Sequence, residues 1–178
     1  NGLAGFYNFA GDLHTLLGNG GYAESFYDQG RSQGFQNHRS NYALATLKAA
    51  RYNFDDAHYN YELANAKRPT PYSLTNAGNL YLWENKNREA IAKYSYALTE
   101  LPDSGPIQNN LGFAYAKMHD VDSAVIYLNA AREYSISRTS AETNFFALAT
   151  MEFVPLKIDS ILSTFGTHPG TVSNALAL

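Results

Sequence analysis

Apolar and small residues along this chain recur three and four apart, the spacing of one face of an α-helix, with polar stretches between. Leu74, Ala77, Gly78 and Tyr81 fall on one face of a first helix, and Ala90, Tyr94 and Ala97 on one face of a second. The polar run 83–88 supplies the turn between them. The small residues let two helix backbones approach closely, and the aromatic residues fill the space between neighbouring pairs. A hairpin of this kind cannot bury its apolar face alone and needs others stacked on it.

The pattern repeats. Asn76 and Asn110, Gly78 and Gly112, and Tyr81 and Tyr115 are each 34 residues apart. Ala90 aligns with Ala124, Tyr94 with Leu128 and Ala97 with Ala131, and Pro102 closes the first of the two units. The preceding unit matches in its second helix through Ala57, Tyr61, Ala64 and Pro69. Its first helix, over 41–51, has Leu44-Ala45 where the later units have Ala77-Gly78 and Leu111-Gly112, and Lys48 where they have Tyr.

These residues and this period resemble the tetratricopeptide repeat (TPR) family, whose helix-turn-helix unit is 34 residues long. The match is specific over about 38–138. Units of about 38–70, 71–104 and 105–138 carry it, and 4–37 and 139–168 are divergent, with 169–178 a partial helix or cap. In the first divergent unit the features are Ala10-Gly11, Ala23, Tyr27 and Gly30, with a glycine-rich turn at 18–21. The last has a first helix over 140–153, a break or a new start at Pro155, an inner face of Ile158, Leu162 and Phe165, and a second break at Pro169-Gly170. The resemblance implies an all-α solenoid of antiparallel helix pairs, wound as a superhelix. It also implies that first helices line a concave groove and second helices form the outer wall.

On that reading Asn76, Asn110 and Asn144 form one column of three successive first helices. Asn41, Asn174 and Asn8 precede similar apolar-small stretches at looser spacing. Mid-helix Asn gains nothing in helix propensity. A side-chain amide both donates and accepts, so a column of them can hold the backbone of an extended peptide without reading its sequence; several TPR superhelices use such a column. The competing role is local, with Asn bonding the neighbouring backbone or packing between repeats. Other groove positions are Tyr42, Tyr72, Thr75, Asn79, Leu82, Trp83, Asn109, Phe113 and Lys117. Trp and Tyr are favoured at binding hot spots, although Trp83 can equally cover the end of its own helix. Tyr61, Tyr81, Tyr94 and Tyr115 match packing positions of the repeat. The TPR domains that clamp acidic C-terminal tails use Lys and Arg where this chain has Thr75, Asn76, Asn109 and Asn110, which argues against that ligand.

Composition narrows the function further. A net charge of −3 and a pI near 5.9 provide no basic stripe for nucleic acid. No apolar run reaches the roughly 18–20 residues of a membrane span. The absence of Cys removes disulfide, thiol and Cys-zinc chemistry. The five His are scattered, as turn or surface residues, and Asp55, Asp56, Asp120 and Asp122 stand where acidic residues complement a helix start. The Gly-x-Gly-x-x-Ala spelling at 18–23 follows a helical pattern over 9–17 in place of the strand that a dinucleotide site requires. The expectation is a non-catalytic scaffold that binds a protein or peptide partner, with no cofactor, metal, nucleic acid or membrane insertion. The alternatives are an assembly module that packs on its own neighbours or self-associates, and the regulatory part of an enzyme whose catalytic domain lies elsewhere. Beginning at Asn1, the chain reads as a fragment of a larger protein. A composition low in charge, rich in Tyr and Asn and free of Cys leans toward an exported bacterial protein.

Overall fold

A computed structural model describes residues 2–151, and these fold into helices joined by short turns. In chain order they are α1 Gly2–Leu16, α2 Gly20–Ser32, α3 His38–Ala50, α4 Phe54–Lys67, α5 Pro71–Trp83, α6 Asn87–Glu100, α7 Gly105–Lys117, α8 Val121–Arg132 and α9 Arg138–Met151. No strand occurs among the described residues. The second helix expected after Pro155, the break at Pro169-Gly170 and Asn174 lie outside them. The chain divides into two compact units, residues 1–80 and 81–178.

One local device makes every turn inside a hairpin. Gly18, Tyr52, Asn85 and His119 all have φ near +60 to +75°, at steps of 34, 33 and 34 residues. Each is followed by a residue whose N–H reaches back over the turn: Asn19 to the His14 carbonyl at 2.8 Å, Asn53 to Lys48 at 3.0 Å, Lys86 to Tyr81 at 2.9 Å and Asp120 to Tyr115 at 3.1 Å. This is the left-handed helix cap that satisfies the carbonyls orphaned at a helix end. Only the first of the four is Gly, the residue that adopts this conformation without steric cost.

After the second and fourth of these turns, and at the starts of α3, α5 and α7, a side chain caps the helix that follows. Asn53 accepts from the Asp56 N–H, Asp120 from Ser123 at 3.2 Å and Asn37 from Ser40 at 3.0 Å. Ser104 caps α7, and Thr70 and Ser73 exchange side-chain and backbone bonds at the start of α5. Asp55, Asp56 and Asp122 occupy first turns, where a carboxylate complements the helix dipole. Part of the Asn abundance is therefore helix-cap and turn chemistry.

Within a hairpin, a small residue on the first helix faces a large one on the second. A Cβ on Gly11 would lie 2.5 Å from the Tyr27 ring, and one on Gly112 would lie 2.6 Å from Leu128 Cγ. Ala45 packs with Tyr61 in the same way. Hairpins then stack: Leu44 lies on Ala23 and Tyr27, Ala77 and Leu80 on Ala57 and Tyr61, and Ala141, Phe145 and Leu148 on Ala124, Leu128 and Ala131. Each large side chain removed from water this way contributes roughly 1.5–3 kcal/mol.

Lys48, the departure from the repeat's Tyr, has its own explanation. Its ammonium pairs with Glu24 of α2 and lies 3.6 Å from Asp56 of α4, and Arg51 pairs with the same Glu24. The bond to Glu24 holds the Lys48 ammonium above the ordinary lysine range, against the opposing effect of burial. An ion-pair cluster thus fills the place of an aromatic ring.

Candidate functional site

The candidate site is the surface formed by the first helices, and it is described unit by unit. In residues 1–80 it centres on Tyr42 of α3. The Tyr42 ring stacks on His38, with centroids 6.2 Å apart, and meets Tyr61 edge-on at 6.1 Å. Its hydroxyl accepts a bond from Nδ2 of Asn76 on α5 at 2.8 Å. Tyr61, whose hydroxyl lies 3.4 Å from Thr46 Oγ1, is buried beneath, and that burial raises its pKa. His38 is fixed by Nδ1 lying 3.1 Å from the Ala64 carbonyl. It is therefore part of the packing between hairpins and not a free surface residue. His14 is likewise enclosed, its ring stacked on Tyr22 and Phe26.

In residues 81–151 the corresponding feature is a relay of amides. Asn144 of α9 donates to Oδ1 of Asn109 on α7 at 3.0 Å, and Asn109 donates to Oδ1 of Asn110 at 3.4 Å. All three side chains are half-buried. Asn76 and Asn144 therefore each spend one amide N–H on a tie to the preceding first helix. An amide carries a second N–H and an accepting oxygen besides. Of the other expected positions, Tyr72 is 74% and Trp83 67% exposed, at the two ends of α5. Asn79 and Phe113 are also exposed, and Thr75 and Leu82 are half-buried. Lys117 donates to Oδ1 of Asn85 in the α5–α6 turn at 2.7 Å, so its charge is already engaged.

Asn41 does not belong to the column. The unit that contains it is one residue short, so Leu44-Ala45 sits 33 positions before Ala77-Gly78. Asn41 then shares its register with Leu74, and Ala43 holds the place of Asn76. The structure agrees: Asn41 is 0% exposed, and neither atom of its amide has a hydrogen-bond partner.

A second feature was missed from sequence. A groove of about 450 Å³ runs beside α1, lined by Asn8, Phe9, Asp12, Leu13, Leu16 and Arg39, with an Asp12–Arg39 ion pair of 2.8 Å at its edge. Its signal in the sequence is an apolar arc on α1 wider than one buried stripe, since Leu3, Phe6, Phe9, Leu13 and Leu16 all remain exposed. Among the described residues, no three His, Asp or Glu gather as metal ligands would, and no helix is long and apolar enough to cross a membrane.

No protein-family profile matches the sequence, and no curated protein matches it significantly. Solved structures do match the fold. YrrB, a TPR protein with an unusual peptide-binding site, superposes with a TM-score of 0.79 at 15% identity, over 97% of this chain and 91% of its own. MamA (residues 41 to the end) from Desulfovibrio magneticus RS-1 gives 0.80 at 11% identity, over 100% and 96%. A tetratricopeptide repeat protein from Parabacteroides merdae gives 0.80 at 15%, over 99% and 77%. Identities this low speak for fold alone, and the fold is the one that the repeat spacing and the hairpin geometry already describe: this chain is an all-α helical-repeat solenoid with the tetratricopeptide-repeat fold.

Proposed function

We propose that the chain is a protein-interaction scaffold that holds an extended peptide or partner segment on its first-helix surface. The observation that carries this reading is the amide relay of Asn144, Asn109 and Asn110, with Asn76 on Tyr42 as its counterpart in the other unit. These side chains are oriented before any ligand arrives, which lowers the entropy cost of binding. They offer neutral donors and acceptors, the chemistry that suits a peptide backbone better than a charged tail. The exposed Tyr72, Trp83 and Phe113 add apolar contact of the kind that dominates interface energetics. The peptide-binding site named for YrrB, whose fold is similar, favours the same use here.

The test is a peptide selection from a random display library, followed by titration of the selected peptide against Asn76→Ala, Asn110→Ala and Asn144→Ala variants. Backbone recognition predicts that each substitution weakens binding about tenfold, and that N-methylating the peptide's amides does the same. Unchanged affinity in all three variants would mean that the column serves only to tie repeats together.

A further inference from the structure

We propose that Asn19 is a self-modification site, where the Gly20 backbone nitrogen attacks the side-chain amide and converts it to a carboxylate with loss of ammonia. Asn19 ends the turn after α1, and Gly20 is the first residue of α2. Asn19 is exposed and stands at the N-cap of α2, yet its side chain makes no capping bond. The Gly20 N–H belongs to the first turn, where backbone donors have no intrahelical acceptor. Neither reacting group is spent on the helix.

Gly20 has no Cβ to shield its nitrogen, and its neighbours hold the place for Gly. A Cβ there would stand 3.3 Å from Arg51 Nη2 and 3.4 Å from Leu47 Cδ2 of α3. The same Nη2 is 3.9 Å from where a Cβ of Gly21 would stand, so the guanidinium covers the start of α2. Its charge is permanent, and a cation beside the Gly20 nitrogen favours the deprotonated amide that attacks. The other charges of this cluster are Glu24, which pairs with Arg51 and Lys48, and Asp56, 3.6 Å from Lys48. Of the four, Arg51 is the one that reaches Gly20.

In the reaction the Gly20 nitrogen gives up its proton to base and bonds to Cγ of Asn19. The amide nitrogen leaves as ammonia, and a cyclic imide remains. Closure rotates ψ of Asn19 away from 59°, a movement for which the flanking glycines leave room. Water then opens the ring. Cleavage of the bond from nitrogen to Cγ gives aspartate, and cleavage of the bond to the main-chain carbonyl gives isoaspartate. Either route consumes a water, releases an ammonia and makes the formal charge of −3 more negative.

The repeat says what the products do. Asn19 shares its place with Asn53 and Asp120, whose side chains cap α4 and α8. Aspartate at position 19 would act as Asp120 does, and it gains from the helix dipole. Isoaspartate lengthens the backbone of the turn and displaces the Asn19 N–H from the His14 carbonyl, 2.8 Å away before reaction. One product tightens the α1–α2 hairpin and the other loosens it. None of this rests on the peptide-binding reading.

The experiment ages the whole chain in mildly alkaline buffer, with and without urea. It follows peptide 18–22, which chymotrypsin releases after Leu17 and Tyr22, clear of the other Asn-Gly pair at 1–2. In the folded chain this peptide is expected to gain the mass by which an acid exceeds its amide, as aspartate and isoaspartate forms that chromatography separates. Gly20→Ala should lose most of that product, and Arg51→Gln should slow it about threefold. Circular dichroism checks that both variants fold. Asn19→Asp should melt above wild type. An unchanged peptide from the folded chain, whether or not the urea-unfolded chain reacts, would overturn the proposal. So would equal rates for wild type and Gly20→Ala, or aspartate formed with no isoaspartate, because the Gly20 nitrogen would then have no part in the reaction.

Discussion

The amide of Asn76 donates to the hydroxyl of Tyr42, 34 residues earlier, across 2.8 Å, and so links α5 to α3 through two side chains that sequence reading assigned to a ligand. One bond of this kind contributes about 0.5–1.5 kcal/mol net. Asn76→Ala and Tyr42→Phe should each lower stability by about that amount. The double variant should cost little more than either single change, because the second removes a bond already lost. Urea denaturation of the four-member cycle measures it, and strict additivity would show that the bond contributes nothing in solution.

Asn41→Leu should stabilise the protein. The native amide is fully buried with both polar atoms unpaired, a cost of about 1–3 kcal/mol, and Leu already occupies the equivalent position at Leu74. A rise in the urea midpoint at unchanged slope is the expected result. A fall would mean that the amide has a partner which the fold conceals.

The turn residues predict opposite effects from opposite substitutions. His119 holds φ +60°, where a side chain costs about 1 kcal/mol relative to Gly. His119→Gly should therefore raise the melting temperature, and Gly18→Ala, at φ +74°, should lower it.

Alkaline pH should unfold the chain. Burial and the bond to Asp12 push the Tyr27 hydroxyl up to about 12, burial raises Tyr61 and Tyr94, and Glu24 raises Lys48. A raised folded-state pKa means that the native protein keeps its proton after the unfolded chain has begun to lose its own. These groups give their full contribution below about pH 10, the ordinary range of Tyr and Lys. That contribution is lost progressively as pH climbs toward 12. Helical signal should fall together with the growth of tyrosinate absorbance from these rings. Full tyrosinate absorbance with intact helicity would show that the rings are not buried.

Gly112→Ala should destabilise by about 1–3 kcal/mol, the range for overpacking a core, because its Cβ would stand 2.6 Å from Leu128 Cγ. Combining it with Leu128→Ala should recover less than Leu128→Ala loses but should remove the clash, so the pair is strongly non-additive in thermal melts.

Most of the fold was legible because each hairpin repeats a local instruction. The Gly or Ala opposite Tyr27, Tyr61 and Leu128 and the polar turns can be read without knowing what lies far away in sequence. The site was only half legible. The spacing found Asn76, Asn110 and Asn144, but not that Tyr42 and Asn109 would bond two of them, since a partner one repeat away is fixed by stacking and not by helical period.

Asn41 and Lys48 mark the boundary more sharply. Asn41 stands 35 residues before Asn76, two positions off the 33-residue step between these units, which is about 200° around a helix of 3.6 residues per turn. It therefore faces the core and not the column, which its looser spacing alone did not reveal. Lys48 reads as a defect in the repeat until Glu24, Arg51 and Asp56 are seen around it. By itself the sequence determined the helices, their turns and the small-against-large pairing within each hairpin, because these depend on contacts between residues close along the chain. Only the tertiary structure decided which amides tie repeats together, which Asn is buried and which face of α1 is left uncovered. Those outcomes depend on how one hairpin seats on the next, and that seating is set by packing between residues a full repeat apart.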